Sequence, residues 1–548
     1  MSKAALLVLG MLVASTPAAA AAGGYDLLIR GGTIYDGSGR PGYVGDVAVS
    51  GGKIAAVGKR VRGSAAKVIE ARGLAVTPGF IDAHNHVDFG LEERPGPMLD
   101  DQDLLQGVTT ILLGPDGYYS PEQIRQRTAQ LQARGSGVNY GCYVGHNGIR
   151  AQVMPGIQRP ANAAETAAMA ALVREGMEMG CVGLSTGLMY DPGMFSDTDE
   201  IVALADAVKP FGGTYDSHTR DPSLQMLKSE KEAIEIGRRA GIPAKLGHLK
   251  ATGLINRGRI GDVIAAVEEA RAAGQEVVAD QYPYDGAATG PLSGIFVLPG
   301  RKDMPPAAEV RAALRDPKQR AAVREATEHG EAGGFSWVKA VGYGNMRIVD
   351  APGAPELVDQ NIELLAKAWG MEPFDLVARL VEDQPDSLLI TLGTIDEADV
   401  QKLMVQPWVM IASDGGYSAP EGAEIDIMGY HPRATGSFAR VLGHYSRDLG
   451  LFPLAEAVRK MSGLPAEHLR LADRGFLKPG LAADIAVFDP AKVAARSTYG
   501  NPAARAEGMV AVIVNGEVAV EGGKPTGVAA GRFVPRRGDM APGKTGKR

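Results

Sequence analysis

Apolar and polar positions alternate in two different rhythms along the chain. From Tyr25 to about Ala75, short β-rich runs are separated by turn signals, as in DLLIRGGTIYDGSG and DVAVSGGKIAAVG, the texture of hairpins. The same texture returns in DIAVFDP and MVAVIVNGEVAVEGG, where Asn515-Gly516 parts two apolar runs as a tight turn does. The two ends are expected to pair into one small β-domain. Between them, strand-length apolar runs are separated by helix-patterned segments, an order that implies a parallel sheet. Eight such runs can be counted: AVTPGFIDAHNHV, VTTILLG, NYGCYVGH, CVGLSTGL, GTYDSHT, IPAKLGHLK, EVVADQYPY and WVMIASDG. Helical patterns such as AAETAAMAALVREGMEMG and SEKEAIEIGRRAG end in glycine just before a strand, as helix C-terminal caps do. Repetition of this unit favours a closed (β/α)₈ TIM barrel over an open sheet.

The seventh and eighth runs stand more than a hundred residues apart, which exceeds an ordinary βα connection. The polar, helix-prone PPAAEVRAALRDPKQRAAVREATEHG followed by FSWVKAVGYGNMRIV suggests an inserted lid or subdomain over the catalytic face. The expected organisation is α/β. A signal peptide occupies 1–22, a β-sandwich is built from 23–76 and 481–535, and a barrel covers 77–480 with an insertion at about 285–405. A flexible tail, 536–548, follows, in a basic, Gly- and Pro-containing stretch that begins after Val534.

Composition narrows the function. With 45% hydrophobic residues and a net charge of -7 in 548 residues, the chain has neither the polarity of a disordered protein nor the basic excess of a nucleic-acid binder. Small-molecule chemistry is the default. The first residues, MSKAALLVLGMLVASTPAAAAAGG, place Lys3 before an apolar run that ends in small residues suited to cleavage, the pattern of a signal peptide. Periplasmic or secreted location is therefore expected, with no membrane span, since no stretch approaches the ~20 apolar residues one requires. Absence of a cysteine near the expected cleavage site argues against a lipid anchor. Cys142 and Cys181 are the only cysteines, each in an apolar run read as a strand, and structural burial is the expectation for both.

Candidate chemistry begins with Asp82-Ala83-His84-Asn85-His86. Alternation along a strand points His84 and His86 the same way, so both imidazoles can reach one metal ion. An HxH alone is weak evidence. His218, in YDSHT, and His248, in KLGHLK, also fall at the C-terminal ends of predicted strands, and Asp414, in MIASDGG, ends the eighth. Catalytic groups in a barrel come from that rim. Four histidines and an aspartate placed there are hard to explain as separately satisfied core residues.

With these landmarks, the sequence from Tyr25 to about Gly522 resembles the amidohydrolase superfamily, and within it the D-aminoacylase or N-acyl-D-amino-acid deacylase family. The motifs are TPGFIDAHNHV, QGVTTILLG, GLSTGLMY, SHTR, LGHLK, DQYPY, SDGG and HPRATGSFARVL, in order. The resemblance implies that His84 and His86 hold one metal position and His218 and His248 the other, with one or two divalent ions, Zn2+ foremost. It makes Asp414 the proton shuttle and matches Lys250, Tyr190 and Tyr282 to positions that hold a substrate carboxylate. The chain departs from the family in one place. A cysteine in a GNCG-like turn is usual after strand 2, whereas here the turn is Gly114-Pro115-Asp116-Gly117, which leaves Asp116 at the ligand position. A carboxylate can ligate zinc and bridge two metals, but it is a harder ligand than thiolate. Asp-Gly is also ordinary turn chemistry.

Three further residues carry alternatives. His146, closing strand 3, contacts substrate or makes a structural hydrogen bond; Arg433 binds an acidic group or orders its loop through a salt bridge. Asp280 caps or pairs within the rim. The expected reaction uses metal-activated water, with Asp414 taking its proton and returning it to the departing amine. The expected substrate is a small N-acyl amino acid with a free carboxylate, and the D-configuration is implied only by the resemblance. Competing readings are a dipeptidase releasing a C-terminal D-amino acid, a cyclic-amide hydrolase, for which CVGLSTGL lacks a strand-4 lysine, and a non-enzymatic scaffold.

Overall fold

The computed structural model describes residues 24–536 apart from 90, 92–95, 302–304, 332–335, 385–387 and 419–426. The expected signal peptide over 1–22 lies outside the described residues, as does 537–548.

Eight strand positions form the central barrel. They are β1 (Phe80–Asp82, continued by Asn85–His86), β2 (Val108–Leu113), β3 (Asn139–Cys142, continued by Val144–Gly145) and β4 (Gly183–Gly187). After them come β5 (Thr214–His218), β6 (Ala244–Leu246), β7 (Val277–Gln281) and β8 (Val409–Ile411, continued by Gly415–Gly416). Each pairs in parallel with the next. The ring closes where Gly415 and Gly416 pair with Asn85 and His86, and the Asp414 N–H donates to the His84 carbonyl at 2.9 Å. Both faces of these strands are covered, which is why runs such as VTTILL carry no charge and are buried at every position. The eight runs read from the sequence are these strands, except that the first divides: Ala75–Pro78 belongs to a different sheet and only Phe80 onward enters the barrel.

That second sheet is built from both chain ends. Ala75–Pro78 pairs antiparallel with Ile485–Phe488 and thereby joins Tyr25–Ile34 and its neighbours to Met509–Val514 and Glu517–Glu521 in one nine-stranded sheet. Leu27, Ile29, Val47 and Val49 from the first end share one core with Ile485, Val487, Ala511 and Ile513 from the second, so the two halves close on each other as sandwich layers do. Asn515 (φ 50°) and Gly516 (φ 90°) form the two-residue turn expected between the last two long strands.

Helices between barrel strands follow their sequence signals. Asn162 and Glu165 form a capping box before Ala163–Glu178, and Gly241 (φ 67°) closes Met226–Ala240. Among the described residues, no helix is long and apolar enough to cross a membrane. The insertion between β7 and β8 carries its own core and a three-stranded sheet, Gly286–Pro291, Leu389–Gly393 and Met346–Asp350. Two expectations change. The stretch after Val534 is not loose at its start, because the Arg536 N–H donates to Gly180 O at 2.8 Å and Val534 N–H to Tyr140 O at 2.9 Å. Cys142 and Cys181 are both buried, as expected, and are joined in a disulfide with Cα atoms 4.7 Å apart, but Cys181 precedes β4 rather than lying in it.

Candidate metal centre and substrate cavity

Six side chains from the C-terminal ends of β1, β2, β5, β6 and β8 converge, with the carboxylate of Asp116 at their centre. Asp116 Oδ1 lies 3.3 Å from His84 Nε2 and 3.6 Å from His248 Nε2, while Oδ2 lies 3.5 Å from His86 Nε2 and 3.8 Å from His218 Nδ1. Each oxygen therefore faces one imidazole of each expected pair. Asp414 Oδ1 approaches His86 Nε2 at 3.2 Å and His84 Nε2 at 3.6 Å. His84, Asp116, His248 and Asp414 each offer a ligand atom within 4.8 Å of the others, a group that draws on both sequence-derived histidine pairs. Asp116 thus sits at the centre of the cluster and is not merely a turn former.

Three of these residues have backbones in the left-handed region: Asp116 (φ 56°), His248 (φ 37°) and Asp414 (φ 50°). For a residue with a Cβ this conformation is sparsely populated and persists only where the surroundings fix it. It turns each side chain out of the strand alternation and toward the common centre. Gly247 serves the same geometry. A Cβ there would lie 3.1 Å from Asp216 Oδ1 and 3.3 Å from the His84 ring.

The donor set fits a divalent cation. Both ring nitrogens of His84 and of His86, with Asp116 Oδ1 and His218 Nε2, are buried without a hydrogen-bond partner. His218 Nδ1 and His248 Nε2 are 2.7 Å apart, a contact that requires a proton or cation between them. Imidazole nitrogen and carboxylate oxygen are ordinary zinc ligands. Burial penalises the charge of Asp116, yet the imidazoles of His84 and His248 outweigh it and hold the carboxyl well below its usual range. Burial opposes ionisation of Asp414 too, and is overcome by Arg433, whose Nη1 donates to Oδ2 at 2.6 Å.

A cavity of about 260 Å³ opens over the cluster. Lys250 lines it, its Nζ donating to His248 O at 2.8 Å and lying 2.9 Å from His248 Nδ1. An ammonium has three donors, so one N–H remains for an incoming acceptor. Tyr190 also lines the cavity, with its hydroxyl 3.2 Å from His218 Nδ1. Ile295, Trp337, Ile390 and Leu392, all from the insertion, form an apolar wall opposite. The insertion therefore covers the catalytic face.

Three sequence candidates are placed differently. His146 is fully buried, with Nε2 3.0 Å from Glu200 Oε1, and Arg150 donates to both oxygens of the same carboxylate. It is a structural group that does not line the substrate cavity. Tyr282 donates its hydroxyl to Ala287 O at 3.2 Å and places its ring beneath Arg433 and Lys250, at 4.7 and 5.4 Å. It backs the two cations instead of offering its hydroxyl to the cavity. Arg433 lines the cavity, but the salt bridge to Asp414 engages it.

Below the cluster lies a group that the sequence pattern does not reveal. Lys245, fully buried on β6, lies 3.1 Å from Asp216 Oδ1 and donates to Asp280 Oδ2 and, at 3.1 Å, to Ala83 O. Asp280 also accepts the His248 N–H and lies 3.8 Å from His84 Nδ1. Burial disfavours charge on Lys245, but the two carboxylates hold it well above its usual range. The available signal is a lysine inside an apolar run, and an aspartate two residues before His218 on the same strand face. Tyr118, two residues after Asp116, is a further site residue without a sequence signal; its ring stands 5.8 Å from His86 and 4.9 Å from Phe89.

Comparisons with known proteins agree on one neighbourhood. The profile of an amidohydrolase family matches residues 337–520. D-aminoacylase of Alcaligenes xylosoxydans xylosoxydans is 34% identical over 534 residues, which cover 93% of this chain and 98% of that protein. The N-acyl-D-glutamate deacylase of the same organism is 31% identical, over 94% of this chain and 98% of its own. Among solved structures, a D-aminoacylase described as defining a novel subset of amidohydrolases superposes with a TM-score of 0.75 at 33% identity, covering 93% of this chain and all of that one. An N-acyl-D-glutamate deacylase from Bordetella bronchiseptica, complexed with zinc and a phosphonate mimic of the tetrahedral intermediate, gives 0.74 at 28% identity over 94% of this chain.

Proposed function

The chain belongs to the amidohydrolase family, among the D-aminoacylase-type deacylases, and from that membership we propose that it is a zinc-dependent hydrolase of N-acyl-D-amino acids. The observation that carries this reading is the convergence of four imidazoles and two carboxylates at one barrel rim, with buried donor atoms left unpartnered. His84, His86, Asp116, His218 and His248 would hold one or two ions. A divalent metal bound there supplies activation of water and polarisation of the scissile carbonyl. Asp414 has the geometry of a proton carrier: Arg433 anchors Oδ2, leaving Oδ1 to take the proton of the attacking water and return it to the departing amine. Lys250 and Tyr190 orient the free carboxylate, and the apolar wall of the insertion keeps water from the amide.

A C-terminal D-residue of a dipeptide would meet the same groups, so dipeptidase action is the nearest alternative substrate class. β4, Gly-Leu-Ser-Thr-Gly, offers no lysine for a carbamylated bridge of the cyclic-amide type. The deciding experiment compares turnover of N-acetyl-D- and N-acetyl-L-amino acids and of D-terminal dipeptides by protein of measured zinc content. Loss of D-substrate turnover on chelation and its return with zinc support the reading; equal turnover by verified metal-free protein overturns it.

Export is part of the proposal. The Lys3-plus-apolar leader motivates it, and the Cys142–Cys181 disulfide is of a kind that persists in oxidising compartments. N-terminal sequencing of protein from the periplasmic fraction tests it, and an intact Met1 on cytosolic protein would refute it.

A further inference from the structure

An amide has two sides, and the cavity lined by Lys250 accounts for one. Lys250 and the insertion wall receive the amino-acid half, so the acyl half must extend from the scissile carbonyl in another direction. A second cavity, of about 230 Å³, lies against the same centre. Asp116, Tyr118 and Tyr190 line both cavities, so the two are separated by a wall of two tyrosines with the central carboxylate at its foot. Tyr118 stands against His86 and Tyr190 against His218, so the wall straddles the histidine cluster.

The lining of the second cavity is chemically quiet. Gln123 Oε1 is committed to the Ser120 N–H at 2.9 Å, and Asn147 is tied at both ends to Gly187, at 3.0 and 3.1 Å. Apart from the exposed carboxylate of Asp191, the walls offer the tyrosine rings, the Pro192 ring, the Ala151 methyl and the bare backbone of Gly148. A Cβ on Gly148 would lie 2.5 Å from the Ser120 nitrogen, so this wall lies against the Tyr118–Ser120 backbone. Such a lining suits a hydrocarbon chain and offers no positive charge to an acidic group. An acetyl methyl would leave most of the space unfilled.

Resting on the hydrolase reading, we propose that this second cavity is an acyl-chain subsite, which adapts the enzyme to N-acyl-D-amino acids carrying straight chains longer than acetyl. Each methylene buried there strengthens binding by about fourfold, the factor that corresponds to ~0.8 kcal/mol. The test is a series on one D-amino acid with acetyl, butanoyl, hexanoyl and octanoyl groups. In the unaltered protein kcat/KM rises along the series, whereas a flat or falling series overturns the proposal. Ala151→Trp, at an exposed helical position that tolerates the change, fills the cavity. It should lower the octanoyl-to-acetyl ratio of kcat/KM at least tenfold, and an unchanged ratio overturns the proposal. Calorimetry with acetate, hexanoate and octanoate on the zinc-loaded protein gives a readout independent of turnover. Should no N-acyl substrate be hydrolysed, the hydrolase reading fails on its own; chain-length-independent carboxylate affinity is what sinks the acyl subsite.

Discussion

Two groups of buried charged side chains meet on opposite sides of the His84 ring. On its Nε2 side, Asp116 and Asp414 stand among imidazoles, of which His84 and His86 have no hydrogen-bond partner at either nitrogen. On its Nδ1 side, Asp280 and Asp216 stand around the ammonium of Lys245, with Asp280 also taking the His248 N–H. The residue types are similar and both groups are sealed from solvent. They differ in where the positive charge comes from. In the lower group the chain supplies its own cation, and the charges compensate each other as buried ions must. In the upper group the cations stand at its rim, Lys250 Nζ lying 2.9 Å from His248 Nδ1 and Arg433 donating to Asp414 Oδ2. The lower group underlies the upper, because Asp280 accepts the backbone N–H of His248 and places its carboxylate 3.8 Å behind His84 Nδ1.

The contrast between the two groups should break most completely at Asp116. Asp116→Ala removes the one carboxylate that faces all four imidazoles. Zinc affinity should fall by more than about 100-fold, beyond what loss of a supporting group costs, and hydrolysis should vanish with it. Wild-type affinity measured by chelator competition would remove Asp116 from the centre. Asp116→Cys restores the ligand usual in the family and should retain binding with preference shifted toward softer metals.

Asp414→Asn keeps the shape of the cluster but takes away its proton carrier. Turnover should drop by about 10²–10⁴-fold while bound zinc stays near the wild-type content. Joint loss of zinc and rate would make Asp414 chiefly a ligand.

Lys245→Met addresses the lower group. Two carboxylates lose their buried ammonium, and the protein should be destabilised by about 3–5 kcal/mol in denaturant melts. If the triad is purely internal compensation, the triple variant Asp216→Leu, Lys245→Met, Asp280→Leu should recover much of that stability yet bind zinc more weakly, because His84 has lost its support. Unchanged zinc affinity in the triple variant would separate the two groups functionally. Asp280→Asn, the gentler version, should weaken zinc by about 10–100-fold.

The smallest expected effect sharpens the boundary of the site. Lys250→Met should raise KM for N-acyl amino acids by about 10-fold, the scale of one charge-assisted hydrogen bond, with little change for the corresponding amides. An equal loss on the amides would place Lys250 in the histidine cluster, through its contact with His248, instead of in substrate binding.

The metal-facing residues are legible in the sequence because they interrupt a pattern. His84, His218, His248 and Asp414 each end an apolar run of strand length, where a buried polar group has no local reason to stand. Asp116 is legible only as a turn residue at a position the family gives to a ligand. Lys245 sits in the short apolar run of β6 and Asp216 in the largely polar GTYDSHT, and their meaning depends on being neighbours across β5 and β6. His146 and Tyr282 show the converse. Each occupies a rim position, yet a partner outside the rim motif, Glu200 for one and Ala287 for the other, claims its polar atom.

By itself, the sequence determined which runs could be strands, that both chain ends share a β-domain, and which side chains are candidates for the chemistry. Those features depend on local periodicity and composition, which act over a few residues. Tertiary structure decided which nitrogen faces which oxygen, that Asp116 stands between both histidine pairs, that Arg433 is spent on Asp414, and that Cys142 reaches Cys181. These are distances between groups far apart in the chain. They exist only after the ring of strands has closed at Gly415 and Asn85, because closure brings the left-handed turns of β2, β6 and β8 to face one point.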